Sequence, residues 1–528
     1  MGVFRDIFRK NSTLIITLAV LALLYIAAIQ GMSTKDWVIT TLRGLSVGAV
    51  TFLVASGLSL IFGLMDVLNL AHGTLFMIGA YIGWSAFVRP DTFVDLFPLF
   101  VLPLVTFLLM PLWKYWISKI NLPAAAQRIW PWVGLVLAFA LLAYVLPRYP
   151  IAIWNAAVYS DSPVTWTQNF TNGLIQSLVK PAEFQDHSLA FFAAGLLLVG
   201  LVASISLAGL SNYRHKTEPA AGFKIRWQTI AAVSGLLLLG IGFAVFNDQI
   251  TNFLLGISTN WLFLFAILVA LLAGAGLGGL MEATLIRPLY ARPLYQLMLT
   301  LGLGVIGTEF VRAFWGRSGF TMPRPALFEG TGEGCPATSI GAWLHSNCST
   351  LLVTIAGEET RIRVYNEVFV ILAGLLVLII VWALLHYTRL GMTIRAGVQD
   401  SEMVEALGIN VRRVFTLVFA LGASLAALGG VLSGPATGLS DLMGANLLLT
   451  ALIALAIGGL TSFPGSALGA VIVGLLQQFI IKYGQIGIHL PILDITFKPT
   501  PPLVPASTVL LMVIILLVMP QGLLGRKE

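Results

Sequence analysis

Stretches of roughly 20 apolar residues, the length that carries a helix across the hydrocarbon core of a bilayer, recur along this chain from one end to the other. That pattern requires lipid as solvent and restricts the chain to one helical membrane domain. Composition agrees: 58% of the 528 residues are hydrophobic and 10% are charged, whereas soluble domains carry about a quarter charged residues. A soluble globular fold is excluded. The fold class is all-α, a polytopic helical membrane protein of about 12–14 transmembrane segments, some broken or re-entrant. Hydropathy places them near 11–30, 38–63, 64–88, 96–113, 129–147, 188–210, 228–246, 260–284, 293–314, 367–386, 413–438, 446–461, 465–483 and 505–520. The first run follows Arg5, Arg9 and Lys10 like a signal sequence, but it lacks a small-residue cleavage site and is read as a retained helix.

Positive charge in short loops marks the side retained in the cytoplasm. With the N-terminus inside, alternate connections carry Lys114, Lys119 and Arg128; Arg214, Lys216, Lys224 and Arg226; Arg287 and Arg292; then Arg389, Arg395, Arg412 and Arg413, before an end at Arg526 and Lys527. Every strongly basic short loop falls on one side, so both termini are expected in the cytoplasm. The other side receives Asp91, Asp95 and a long loop at 315–366. The net charge of +7 is dispersed between apolar segments, which fits loop anchoring and makes nucleic acid an unsuitable partner.

Two regions interrupt their apolar runs, at Gly63, Asn69, His72 and Gly73 and at Gly458, Gly459, Pro464 and Gly465. Broken or re-entrant helices of this kind point to a transport path, because freed backbone groups at membrane depth must face protein or a wet cavity. Close helix packing through small residues is the equal alternative. Asn69, His72, Gly73, Gly459, Pro464 and Gly465 are therefore the pathway candidates, with Asn69 able to cap the first break and His72 able to lock it by hydrogen bonding. The only cysteines, Cys335 and Cys348, fall in the predicted external loop, where a disulfide is expected and two free thiols are the alternative. A zinc site lacks ligands, since His345 is the only histidine nearby.

A charged stretch of helical composition, TRLGMTIRAGVQDSEMVEALGIN, runs from Thr388 to Asn410 between two apolar spans. It suits a short surface helix lying in another protein's groove, with Arg395, Glu402 and Glu405 at its rim; an ordinary solvated loop is the plainer reading. The stretch resembles the coupling region of permeases in the branched-chain amino acid and urea ABC importer family, through Thr388, Arg389, Gly391, Arg395, Ala396, Gln399, Asp400, Glu402, Gly408, Ile409 and Asn410, departing at Val404 where that family has alanine. Four further segments resemble the family in the same order: Gly57 to Tyr81 around Asn69, Ala71, His72 and Gly73; Glu282 to Ile306 with its Glu-x-x-x-x-Arg-Pro-Leu turn; Ala454 to Leu476 with Gly-Gly-x-x-Ser-x-Pro-Gly; and the ending MPQGLLGRKE.

The resemblance implies an ABC-importer permease fold. It divides the chain into a lead-in at 1–36, a first core part at 37–88, inserted transmembrane segments at 89–259 and a second core part at 260–528, with an external loop at 315–366 and a cytoplasmic coupling loop at 388–412. It implies ATPase coupling through Arg389, Arg395, Asp400, Glu402, Glu405 and Gly408. The implied complex has a second permease subunit, two ATP-binding cassette subunits and a periplasmic solute-binding protein, in the bacterial inner membrane. This chain would bind no cofactor, and the partner ATPase would use the ATP; Gly-Lys never occurs as a dipeptide, so no phosphate-cradling loop is present. The implied cargo is branched-chain amino acids or a similar small polar solute, with urea or an amide as the alternative.

Polar residues inside a bilayer each need a reason, and Arg43, Asp66, Asn69, His72, Glu309 and Arg312 qualify. Glu309 and Arg312, three apart on one helical face, are read as a mutually neutralising pair. An ion-coupled carrier using Asp66, His72 and Glu309 is the competing transport reading. An enzyme is not indicated, since neither HExxH nor GxSxG sits on a suitable element.

Overall fold

The computed structural model describes residues 12–66, 68–120, 123–148, 163–174, 188–215, 227–290, 292–399, 401–490 and 495–525. Arg5, Arg9, Lys10, Lys216, Lys224, Arg226, Asp400, Arg526 and Lys527 lie outside the described residues, as do the side chains of Arg214 and Glu402.

In chain order the helices are α1 (Ser12–Ala27), α2 (Thr34–Met65), α3 (His72–Val88), α4 (Pro90–Leu108), α5 (Met110–Ser118), α6 (Ala124–Val145), α7 (Pro163–Thr171), α8 (Leu189–His215), α9 (Trp227–Val245) and α10 (Asn247–Gly256). There follow α11 (Thr259–Met281), α12 (Pro293–Trp315), α13 (Ile340–Ser346), α14 (Val370–Tyr387), α15 (Arg389–Gln399), α16 (Ser401–Ala406), α17 (Val411–Thr437), α18 (Met443–Gly458), α19 (Phe463–Ile486) and α20 (Leu503–Val518). Among the described residues ten helices are long and apolar enough to cross a membrane. The other apolar runs of the sequence form α1, α18 and α20, of 16 residues each, and α3, of 17. At 1.5 Å per residue these span about 25 Å, short of the roughly 30 Å hydrocarbon core.

The chain divides into two compact units, one of residues Met1–Trp84 and Thr259–Glu528, the other of Ser85–Ser258. In the first, α2 and α17 are the most enclosed of the long helices. Small residues let their backbones approach neighbours closely. A Cβ built on Gly57 would sit 2.5 Å from the Gly422 carbonyl, and one on Gly474 would sit 2.4 Å from the Gly44 carbonyl. Lipid offers no hydrophobic drive for helices to associate, so this close van der Waals contact is what holds them. Leu53, Leu60, Val418 and Leu425 fill the space around it.

Short strands also occur, which an all-helical reading omits. In the 315–366 loop β1 (Thr350–Ile355) pairs antiparallel with β2 (Glu358–Arg363). The turn, Ala356 at φ 51° and Gly357 at φ 84°, has the two positive φ angles of a tight hairpin, and the β-branched Val353, Thr354, Ile355, Thr360 and Ile362 on either side of it favour strands. A second small hairpin joins β3 (Ile488–Leu490) to β4 (Ile495–Phe497). Lys35, at the start of α2, pairs with Glu358 of the first hairpin, whereas Leu64, at its end, packs on Gly397 of α15. The first unit therefore has a hairpin end and an α15 end.

In the second unit Leu102, Val145, Phe192 and Leu196 make a small core. Arg89, almost fully buried, is neutralised by Asp91 through bonds of 2.9 and 2.7 Å and lies over the Trp166 ring. Asp95 accepts from Asn247. A buried charge with counter-ion and ring is the economical way to keep arginine out of water.

Candidate functional site

Toward the hairpin end of the first unit lies a cavity of about 510 Å3. Its walls follow from helical spacing: Arg43, Val47, Val50 and Thr51 come from one face of α2, and Met443, Asn446, Leu447 and Thr450 from one face of α18. Ser433 and Thr437 end α17, Gln477 and Gln478 come from α19, and Phe76 from α3. The remaining wall is Arg363 with the π-helical turn Tyr365–Phe369, which contributes Asn366 and Glu367. Tyr365 holds that turn in place by donating to the Leu432 carbonyl at 3.0 Å.

Arg43 Nε donates to Glu367 Oε1 at 2.8 Å, and the Arg363 backbone N–H donates to Glu367 Oε2 at 2.9 Å. The carboxylate is buried while Arg43 is 48% exposed. Two buried polar atoms of the wall, Thr51 Oγ1 and Asn366 Oδ1, have no hydrogen-bond partner. Unsatisfied buried polar atoms are uncommon and ask for water or a ligand.

The sequence-predicted pathway residues are elsewhere: Asn69, His72, Gly73, Gly459, Pro464 and Gly465 do not line this cavity. At the first break α2 runs through Gly63 and stops at Asp66, which takes a left-handed φ of 50° and donates its N–H to Phe62. Asn69 Oδ1 accepts from the Ala71 N–H at 3.0 Å, and Thr300 on α12 accepts from the Leu70 N–H. His72 fills the gap left by Gly57, where a Cβ would be 2.8 Å from its Nε2. Its ring packs into that gap with the Val54 backbone as its polar neighbour, though neither ring nitrogen closes a hydrogen bond of normal geometry. Gly73 meets the Gly444 carbonyl.

At the second break Ser462 caps α19 by accepting from the Gly465 N–H, with Pro464 in the first turn. Gly458 and Gly465 are in backbone contact. The α18 end would leave carbonyls bare. The Leu523 and Leu524 N–H groups bond the Ile457 and Gly458 carbonyls at 2.8 and 3.0 Å. That is the physical task of the QGLLG segment.

At the α15 end, Thr388 caps α15 by accepting from the Gly391 N–H at 3.0 Å. Gly391 and Ile394 are buried, and Gly391 lies against the Leu384 and Leu385 carbonyls. The opposite face exposes Arg389, Met392 and Arg395; Met403, Glu405, Leu407 and Ile409 continue the surface. Gly408, at φ 81°, supplies the left-handed turn after α16, and Asn410 caps α17. Val404 is buried, so this departure from the family pattern faces inward.

A further cluster joins the π-helical turn Glu282–Ile286, which extends α11, to α17. The turn brings Arg287, five residues on, back to Glu282, at 3.1 and 2.9 Å. Glu282, fully buried, also accepts from Thr416 at 2.6 Å and from the Tyr290 hydroxyl. The five-residue spacing in the sequence is the trace of that turn. Glu309 and Arg312 are paired, but Arg312 also bonds Asp441 at 2.7 Å, a partner outside the sequence reading. Cys335 and Cys348 are joined by a disulfide with Cα atoms 5.4 Å apart. Among the described residues no group of three or more His, Cys, Asp or Glu could hold a metal ion.

Residues 226–519 match the family model for the branched-chain amino acid transport system, permease component. The chain is 25% identical over 336 residues to the high-affinity branched-chain amino acid transport system permease protein LivH of Escherichia coli (strain K12), covering 63% of this chain and 91% of that protein. It is 30% identical over 166 residues to the permease protein BraD of Pseudomonas aeruginosa, covering 31% and 49%. A shorter stretch of 119 residues is 31% identical to the fructose import permease protein FruF of Bifidobacterium longum, covering 21% and 33%. No solved structure gives a significant match. With more than half of its length matched by the family model, this multi-pass membrane chain belongs to the family of branched-chain amino acid transport permease components.

Proposed function

We propose that the chain is the membrane-spanning permease subunit of an ATP-driven importer, carrying branched-chain amino acids across the bacterial inner membrane. The observation that carries the reading is the arrangement of one unit: a largely apolar cavity with charged and polar side chains in its wall toward one end, an exposed capped helix at the other, and two enclosed helices, α2 and α17, between them. α15 and α16 present Met392, Met403, Leu407 and Ile409 among Arg389, Arg395 and Glu405, a mixed apolar and charged surface suited to a protein groove. A separate pair of ATP-binding cassette subunits would dock there. Arg287, Arg292, Arg389, Arg395, Arg412 and Arg413 lie in or beside the connections at that end, which supports a cytoplasmic placement of it by the positive-inside rule.

The opposite end would then receive a periplasmic solute-binding protein, and a second permease subunit would complete the passage. The breaks at Asn69–Gly73 and Gly459–Gly465 act in this reading as joints beside the path rather than as its lining. Asp400 and Glu402 remain part of the proposed coupling segment by position.

The test is uptake of radiolabelled leucine and urea by a strain lacking the native importer, with wild type against Leu407→Arg, membrane abundance being equal. Leucine uptake lost in the variant, together with loss of ATPase copurification, supports the reading. Uptake of urea alone makes the cargo an amide, and uptake indifferent to both the variant and ATP depletion refutes ATP coupling.

A further inference from the structure

Resting on the permease reading, we infer that the cavity between α2, α18 and the 363–367 segment is a transient site for an aliphatic α-amino acid in zwitterionic form. The Arg43–Glu367 pair divides it into a carboxylate end and an ammonium end.

Arg43 spends only Nε on Glu367, so its two terminal nitrogens keep donors for a planar carboxylate. Its 48% exposure means that those donors are not walled off. Arg363 adds a second positive charge to the same wall. One residue before Glu367 stands Asn366, which lines the cavity and whose Oδ1, shielded behind that wall, accepts nothing. Rotation of this amide toward the cavity lets a ligand ammonium supply the missing donor, with the Glu367 carboxylate, held by Arg43 and the Arg363 N–H, behind it. Val47, Val50, Phe76 and Leu447 form an apolar bed for the side chain. A volume of about 510 Å3 lies within the range of small-molecule sites.

Urea and other neutral amides have no charge to place between Arg43 and Glu367. Carboxylates without an amine, and amino amides without a carboxylate, each satisfy only one end. The site therefore selects for both charges on one carbon, with an apolar group beyond them.

The experiment uses the full chain in lipid nanodiscs. Both native cysteines are in the disulfide, so Thr437→Cys in the cavity wall is a unique thiol, with Asn446→Cys as a second reporter on α18. The rate of labelling by a charged maleimide is measured with L-leucine, leucinamide, 4-methylpentanoate or urea. L-Leucine is expected to slow labelling several-fold, and the other three to leave it unchanged. The paired exchange Arg43→Gln with Glu367→Gln, which keeps a hydrogen bond and removes both charges, is expected to raise the half-protecting leucine concentration by about tenfold or more. Equal protection by leucinamide, 4-methylpentanoate or urea, or none by leucine at either reporter, overturns the inference. Protection without ATP-driven leucine uptake upholds the site and refutes the importer reading; uptake without protection does the reverse.

Discussion

The contact between Gly458 and Gly465 leaves no space for a side chain, and this makes Gly458→Ala the sharpest stability test. A Cβ on Gly458 would lie 1.9 Å from the Gly465 carbonyl oxygen and 2.3 Å from its carbon, against 3.4 Å for ordinary contact. Both obstructing atoms are backbone, so no rotamer change relieves the overlap. α18 and α19 must separate by about 1.5 Å at the turn they share, a gap that forfeits a large part of the local dispersion energy. The cost is expected at about 3 kcal/mol, the upper part of the range for overpacking. Gly276→Ala is the control: nothing lies within 4 Å of its Cβ, and alanine in place of an interior helical glycine is favoured by about 1 kcal/mol. Denaturant-driven unfolding of the purified chain in mixed micelles reads both, and the two variants should move in opposite directions. Equal stability of Gly458→Ala and wild type would refute the close-approach argument.

Glu282→Leu removes the common acceptor of Arg287, Tyr290 and Thr416 and should cost about 3 kcal/mol in the same assay. Arg287→Ala should cost less, because that side chain is a third exposed and partly solvated; equal costs would show that the cluster does not depend on the buried carboxylate. Cys348→Ser opens a cross-link of sequence separation 13 and should destabilise the 315–366 loop by about 3 kcal/mol on the chain-entropy model, seen as faster proteolysis there without loss of the helical signal. Deleting 521–528 strips the Ile457 and Gly458 carbonyls of their donors, so hydrogen exchange should rise at the 459–465 turn while α2 stays protected; unchanged exchange would mean that water replaces the tail without cost.

Apolar length alone marked the membrane class and each of the long helices, because a bilayer demands continuous runs and the chain has no other way to satisfy its backbone there. Charge in the short loops supplied a sidedness. Thr388, Gly408 and Asn410 punctuate α15, α16 and α17, and their capping chemistry was written locally.

What the tertiary structure alone decided was which polar residues meet. Arg43 and Glu367 are 324 residues apart, and Arg312 finds Asp441 across 129; no local period records such a pair. Asn69 and His72 drew attention as polar groups at a break, yet they are enclosed by Gly57 and α12, while the cavity is walled by residues whose only sequence mark is a shared helical face. Helical spacing determines which side chains share a face, and a one-dimensional pattern ends there. Which faces oppose one another is set by where small residues let backbones touch, and that is a property of the packed bundle.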